Sequence, residues 1–194
     1  MSAPLLSVSG LRLERGGRVL LEDFDLEVTP GELILIEGAN GAGKTTLLRG
    51  LAGLSRLGLE GGVERHCERL LFLGHKPGIK QLLTARENLN WFCAAQGISA
   101  GRVEPALERV GLRGREDLPC RHMSAGQQRR VGLARLYLSD APLWLLDEPF
   151  TAIDREGIRA LTETLVRRVG SGVSVVMTSH HDPSLDFPSR RINL

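Results

Sequence analysis

The run Ile36-Glu37-Gly38-Ala39-Asn40-Gly41-Ala42-Gly43-Lys44-Thr45-Thr46 constrains this chain more than any other stretch. It has the spacing Gly-x-x-x-x-Gly-Lys-Thr, with an apolar run at 33–36 before it and helical periodicity over 45–54 after it. That pattern predicts a phosphate-binding loop between a buried strand and a helix. The glycines let the backbone curl so that successive N–H groups, from Gly38 through Gly43, point at one anion. Lys44 adds a positive charge for β- and γ-phosphates, and Thr45 offers a hydroxyl to Mg²⁺. Thr46 follows in the first helical turn, whose positive end faces the phosphates. A plain Gly-rich turn is the competing explanation, and the rest of the chain decides between them.

Upstream, residues 5–13 partly alternate and break at Gly16-Gly17. A second strand-like pattern over 19–28 puts Phe24, Leu26 and Val28 on one face, and Pro30-Gly31 marks a turn. The opening is thus a small antiparallel β layer. Residues 58–62 read as a Gly-rich turn, followed by short strands near Val63 and at 70–73. Residues 74–80 read as a loop by their Gly and Pro content. Thr84 with Glu87 forms a capping box that starts a helix ending near Gly97. A second helix is expected over 102–110, and residues 84–122 together read as a helical insertion. Ser124 with Gln127 caps another helix. The apolar run 143–146 has the pattern of a parallel strand covered on both faces. Ile158, Leu161, Leu165 and Val169 form a helical stripe, 173–178 a further strand, and 191–194 an edge strand after a short helix or turn. Alternating strand and helix after residue 33 predicts an α/β core.

Two carboxylates, Asp147 and Glu148, end the strand at 143–146. In α/β folds ligands bind at the carboxyl ends of parallel strands, so Asp147 is expected beside the phosphate loop, holding Mg²⁺ through water. Glu148, one residue on, is placed to polarise an attacking water as general base. The segment Met123-Ser124-Ala125-Gly126-Gln127-Gln128 then resembles the signature sequence of ATP-binding-cassette (ABC) ATPases. Met123 stands for the usual Leu and Ala125 for the first Gly. A capped helix alone explains Ser124 and Gln127 but not Gly126, which weakens a helix.

The resemblance implies a P-loop NTPase, RecA-like core with the N-terminal antiparallel β layer and the helical insertion, in a single domain over 1–194. It implies ATP and Mg²⁺ as ligands and a trans role for Ser124, Ala125, Gly126 and Gln127 on the γ-phosphate of a second ATPase subunit. Asp154 in Thr151-Ala152-Ile153-Asp154 matches the family's D-loop. His180, 33 residues after Asp147, falls at the switch position that contacts the γ-phosphate. His181 is a bystander.

Within the family, Gly74-His75-Lys76-Pro77-Gly78-Ile79-Lys80 is the discriminating stretch. With residues 83–89 and 124–130 it looks like the ATP-binding subunit of the haem exporter of bacterial cytochrome c maturation. That resemblance implies an integral membrane partner and a peripheral place on the cytoplasmic face of the bacterial inner membrane. Two departures stand out. Arg15 holds the place of the aromatic that stacks on adenine, and His75 holds that of a Gln that reaches Mg²⁺ and the attacking water. Mg²⁺ prefers oxygen, so His75 is expected to act through water or else to shape the surface that meets the membrane subunit.

Composition narrows the rest. A hydrophobic content of 42% with 25% charged residues is that of a globular protein. The net charge of +2 gives no argument for nucleic acid. No apolar run is long enough to span a membrane, and the first residues do not read as a signal peptide. Cys67, Cys93 and Cys120 have no metal-ligand spacing and are expected as free thiols. A non-transport ABC ATPase and a nucleotide-binding module without turnover are the other classes. The first would be expected to carry a coiled-coil insertion, and the second to lack Glu148 and His180.

Overall fold

A computed structural model describes residues 3–179 and 188–194. It divides into two compact units: Met1–Phe72 with Ala141–Pro149 and Leu161–Leu194, and Leu73–Asp140 with Phe150–Ala160.

The first unit holds both sheets. Strands β1 (Leu6–Arg15), β2 (Arg18–Val28) and β4 (Leu59–Arg65) form an antiparallel sheet in the order β2-β1-β4. Strands β3 (Leu33–Glu37), β5 (Leu70–Leu73), β6 (Leu143–Asp147), β7 (Ser174–Thr178) and β8 (Arg190–Asn193) form a second sheet, ordered β5-β6-β7-β3-β8. The β6–β7, β7–β3 and β3–β8 ladders are parallel. Parallel strands covered on both faces should be apolar throughout, and every residue of β6 and β7 is buried. Helix α1 (Lys44–Leu51) places Leu47, Leu48 and Leu51 in one core cluster with Leu6, Leu13 and Leu26 of the antiparallel sheet. Ile34, Ile36, Leu145 and Val176 of the parallel sheet complete that cluster. The phosphate loop is therefore anchored by a strand before it and a helix after it that share one core.

Two details differ from the sequence reading. Gly61 and Gly62 lie inside β4, not in a turn. Gly61 has φ +107°, and a Cβ there would meet the Gly10 carbonyl oxygen at 2.5 Å. The two glycines face a register shift in β1 between Ser9 and Arg12, so they serve an irregular strand pair, which a sequence pattern cannot distinguish from a turn. Helix α1 also ends at Leu51 instead of 54. Gly53, at φ +73°, donates to Gly50 O, and Leu54 N–H to Arg49 O, both at 2.9 Å. This is a Schellman termination.

The second unit is helical around its own core. Helices α2 (Ala85–Gln96), α3 (Val103–Arg109) and α4 (Ala125–Leu138) bring together Leu89, Leu107, Val131 and Leu138. Thr84 and Ser124 form complete capping boxes, with Gly97 in the left-handed conformation after α2. The helix expected at 102–110 begins as a 3₁₀ turn, Ala100–Arg102, before α3. This unit takes in α4 as well as residues 84–122. Burial pushes the Cys93 and Cys120 thiols up in pKa, and all three cysteines are free. Helix α5 (Arg155–Gly170) starts in this unit, and from Leu161 on it belongs to the first, where it buries Leu161, Leu165 and Val169 and Arg168 lies over the Trp144 ring at 5.4 Å.

Candidate functional site

The phosphate loop begins where β3 runs out. Gly43, the residue before α1, has φ +102°, a conformation that calls for glycine, and an added Cβ would press on Leu13 Cδ2 at 2.9 Å. Lys44 is buried, and its Nζ donates to Gly38 O at 2.6 Å and Ala39 O at 3.0 Å. Those bonds hold the ammonium against the loop while Ala39, Asn40 and Gly41 stay exposed.

Asp147 arrives beside the loop from the end of β6. The Thr45 hydroxyl lies 3.1 Å from Asp147 Oδ1 and 2.9 Å from Oδ2. A hydroxyl and a carboxylate converging at a helix start are the hard oxygen donors that Mg²⁺ favours alongside phosphate oxygens and water. Among the described residues no group of three or more His, Cys, Asp or Glu forms an all-protein cage. The donor set thus fits an ion held by few protein oxygens and a nucleotide. Glu148 follows with φ +50°, a left-handed conformation unusual for a residue with a side chain. Its backbone N–H donates to Thr178 Oγ1 at 2.9 Å, and Thr178 Oγ1 donates to Asp147 Oδ1 at 2.9 Å. Sequence reasoning read Thr178 only as the last residue of a strand.

A cavity of about 670 Å³ opens on the helix side of the loop, lined by Arg15, Thr45, Thr46 and Arg49 among others. Arg15 is exposed at the end of β1. Arg15, in the place of the family's adenine-stacking aromatic, therefore shares a cavity with Thr45 and Thr46.

The other expected site residues lie in the second unit. Ser124 Oγ accepts from Gln127 N at 3.2 Å, and Gln127 Oε1 accepts from Ser124 N at 3.0 Å. Ser124 and Ala125 are exposed and Gly126 is half-buried. A Cβ on Gly126 would meet Ala152 O at 3.4 Å, an ordinary contact, so packing within the unit does not require glycine there. Asp154 accepts from Gly157 N and from Arg130 Nη2 (2.6 Å), which together hold its carboxyl below the usual range. His75 is exposed, and its carbonyl is gripped from α4. Arg129 Nη1 donates to Gly74 O at 2.7 Å and His75 O at 3.0 Å, and Arg135 Nη2 donates to Gly78 O at 2.7 Å. Neither guanidinium was identifiable as a support from sequence, because each acts on a segment more than 50 residues away. His180 and His181 lie outside the described residues.

A strand-loop-helix with the Gly-x-x-x-x-Gly-Lys-Thr turn, a strand-end Asp-Glu pair and a separately capped Ser-Ala-Gly-Gln helix have the make-up of a nucleotide-binding cassette. The ABC transporter family model matches residues 21–151, and the chain belongs to that family. Within it, the chain is 50% identical over 187 residues to the cytochrome c biogenesis ATP-binding export protein CcmA of Pseudomonas putida, covering 91% of this chain and 89% of that protein. The CcmA protein of Hahella chejuensis is 46% identical over 203 residues (98% and 96% covered), and that of Vibrio cholerae 45% over 199 (96% of each). Among solved structures, an ATP-binding subunit of an ABC transporter aligns with TM-score 0.81 at 27% identity, over 91% of this chain and 79% of that one. A dimeric ATP-binding cassette in a post-hydrolysis state with ADP and Pi aligns with TM-score 0.83 over 97% and 94%. At 22% identity that likeness speaks for the fold alone.

Proposed function

We propose that this chain is the ATP-hydrolysing subunit of a membrane export complex for cytochrome c biogenesis. The observation that carries the reading is the meeting of Lys44, Thr45 and Asp147 at the phosphate loop, in a chain half identical to a CcmA protein. Lys44 and the loop N–H groups bind the β- and γ-phosphates of ATP. Thr45 and Asp147 would hold Mg²⁺, which would supply charge neutralisation at the phosphate oxygens. Glu148 takes a proton from the attacking water. Ser124 and Gly126 serve the nucleotide of a second copy, so two chains make two complete sites. Asp154 links the copies, and His180 takes the family's switch role by its place in the sequence alone.

No helix among the described residues is long and apolar enough to cross a membrane. The reading supplies the span through integral membrane subunits, with this chain peripheral on the cytoplasmic face of the bacterial inner membrane. A transporter ATPase for another cargo is the rival.

The test is Glu148→Gln in the full chain, copurified with its membrane subunits. Removing a general base typically lowers turnover by about 10²–10⁴-fold, so this variant should bind Mg-ATP, hydrolyse it slowly and accumulate an ATP-bound dimer. Near-parent turnover would remove Glu148 from the role. Copurification with subunits unconnected to cytochrome c biogenesis would transfer the chain to the rival.

A further inference from the structure

Thr178 does more than close a strand. It is fully buried and sits opposite Asp147 in the parallel β6–β7 ladder, at the last paired position of both strands. Beyond that pair the β6–β7 ladder stops, and the Glu148 N–H comes directly after it. The Thr178 hydroxyl receives it, at 2.9 Å, and spends its own hydrogen on Asp147 Oδ1, also at 2.9 Å. One buried side chain thus binds two consecutive residues, one through its carboxylate and the other through its backbone. A hydroxyl can donate once and accept twice, so both bonds are made together without conflict.

The consequence falls on geometry. Glu148 stands at φ +50°, a backbone state that costs energy for a residue with a side chain and persists where its surroundings fix it. The direction of its Cα–Cβ bond depends on that φ, and the bond from its N–H to Thr178 fixes the peptide from which φ is measured. Asp147 is held from two sides, by Thr178 at Oδ1 and by the Thr45 hydroxyl at both oxygens.

We propose that Thr178 is a positioning residue for ATP hydrolysis, aiming the Glu148 side chain from beneath the site, while the Thr45 hydroxyl keeps both Asp147 oxygens in place. The inference rests on the reading of Glu148 as general base. Valine at 178 keeps the β-branched shape that suits a strand but removes both the donor and the acceptor. Serine keeps the hydroxyl and loses only a methyl.

The experiment measures steady-state ATPase kinetics of the full chain with its membrane subunits, for Thr178→Val, Thr178→Ser, Glu148→Gln and the Val/Gln double variant. Misplacing a reacting group by a fraction of an ångström to 1 Å costs up to about 100-fold. Thr178→Val should therefore lower kcat by about 10- to 100-fold while the KM for ATP stays within about threefold. Thr178→Ser should keep kcat within about threefold of the parent. In the Glu148→Gln background Thr178→Val should add less than about twofold, since a residue acting through Glu148 has nothing left to position. A kcat loss in Ser equal to that in Val overturns the proposal, because the methyl and not the hydroxyl would matter. A full additional loss in the double variant overturns it as well. Parent-level kcat in Thr178→Val with a slow Glu148→Gln sinks this inference alone. A fast Glu148→Gln sinks the general-base reading beneath it.

Discussion

Arg15 is proposed as a nucleotide contact by its position, not by its residue type. It is exposed at the end of β1 and lines the same cavity as Thr45 and Thr46. A guanidinium plane can lie flat on a base, a contact comparable to a cation–π pair and worth about 0.5–2 kcal/mol. Arg15→Ala should therefore weaken ATP binding by about 2- to 30-fold, read by titration with a fluorescent ATP analogue. Arg15→Tyr should bind at least as tightly as the parent. An unchanged affinity in the alanine variant would leave adenine to other residues of the cavity wall.

At the scale of an element, α4 carries two tasks on one cylinder. Its first turn presents Ser124, Ala125 and Gly126 outward under a complete capping box. Further along, Arg129 and Arg135 hold the carbonyls of Gly74, His75 and Gly78, and Gly132 leaves room for Pro77, whose Cβ would lie 3.1 Å from an added methyl. The two glycines of this helix are thus different in kind. Gly132 sits so close to Pro77 that a methyl there would push its neighbour by a few tenths of an ångström, whereas Gly126 has space for a methyl within its unit. Gly126→Ala should leave thermal stability unchanged or raise it by up to about 1 kcal/mol, since alanine is the better helix former. The same change should lower turnover of the assembled complex at least about tenfold, as expected where a methyl displaces a closely approaching phosphate. If stability and turnover both stay at parent values, the signature helix start does not receive a nucleotide.

For the whole molecule, the segment around His75 is where the reaction and the membrane partner compete as explanations. The backbone there is fixed by α4 and by Asn88, whose side chain bonds Lys80 N at 2.7 Å and Lys80 O at 3.0 Å, while the His75 imidazole is exposed. An imidazole nitrogen can accept a hydrogen bond from a water at the metal, and so can a glutamine carbonyl, whereas leucine cannot. With the membrane subunits present, His75→Leu should lower kcat at least about tenfold, and His75→Gln should stay within about threefold of the parent. Parent-level kcat in both variants assigns His75 to the partner surface, beside Lys76 and Lys80.

The parts of this protein written in short segments were legible before any coordinates. The Gly-Lys-Thr loop, the two capping boxes, the apolar strand ending in Asp147-Glu148 and the Ser-Ala-Gly-Gln helix start each depend on residues within about a dozen positions, so local chemistry suffices to declare them. The α/β class followed from alternation of strand and helix. Tertiary structure decided what depends on pairs far apart in the chain. Gly61 looked like a turn because the irregular register it serves lies in β1, and α1 looked longer because its stop is a set of hydrogen bonds and not a proline. Thr178 meets Asp147 across 31 positions, and Arg129 meets His75 across 54. A one-dimensional pattern fixes which backbone state a segment prefers, but which buried hydroxyl or guanidinium satisfies it is settled only when the strands and helices pack.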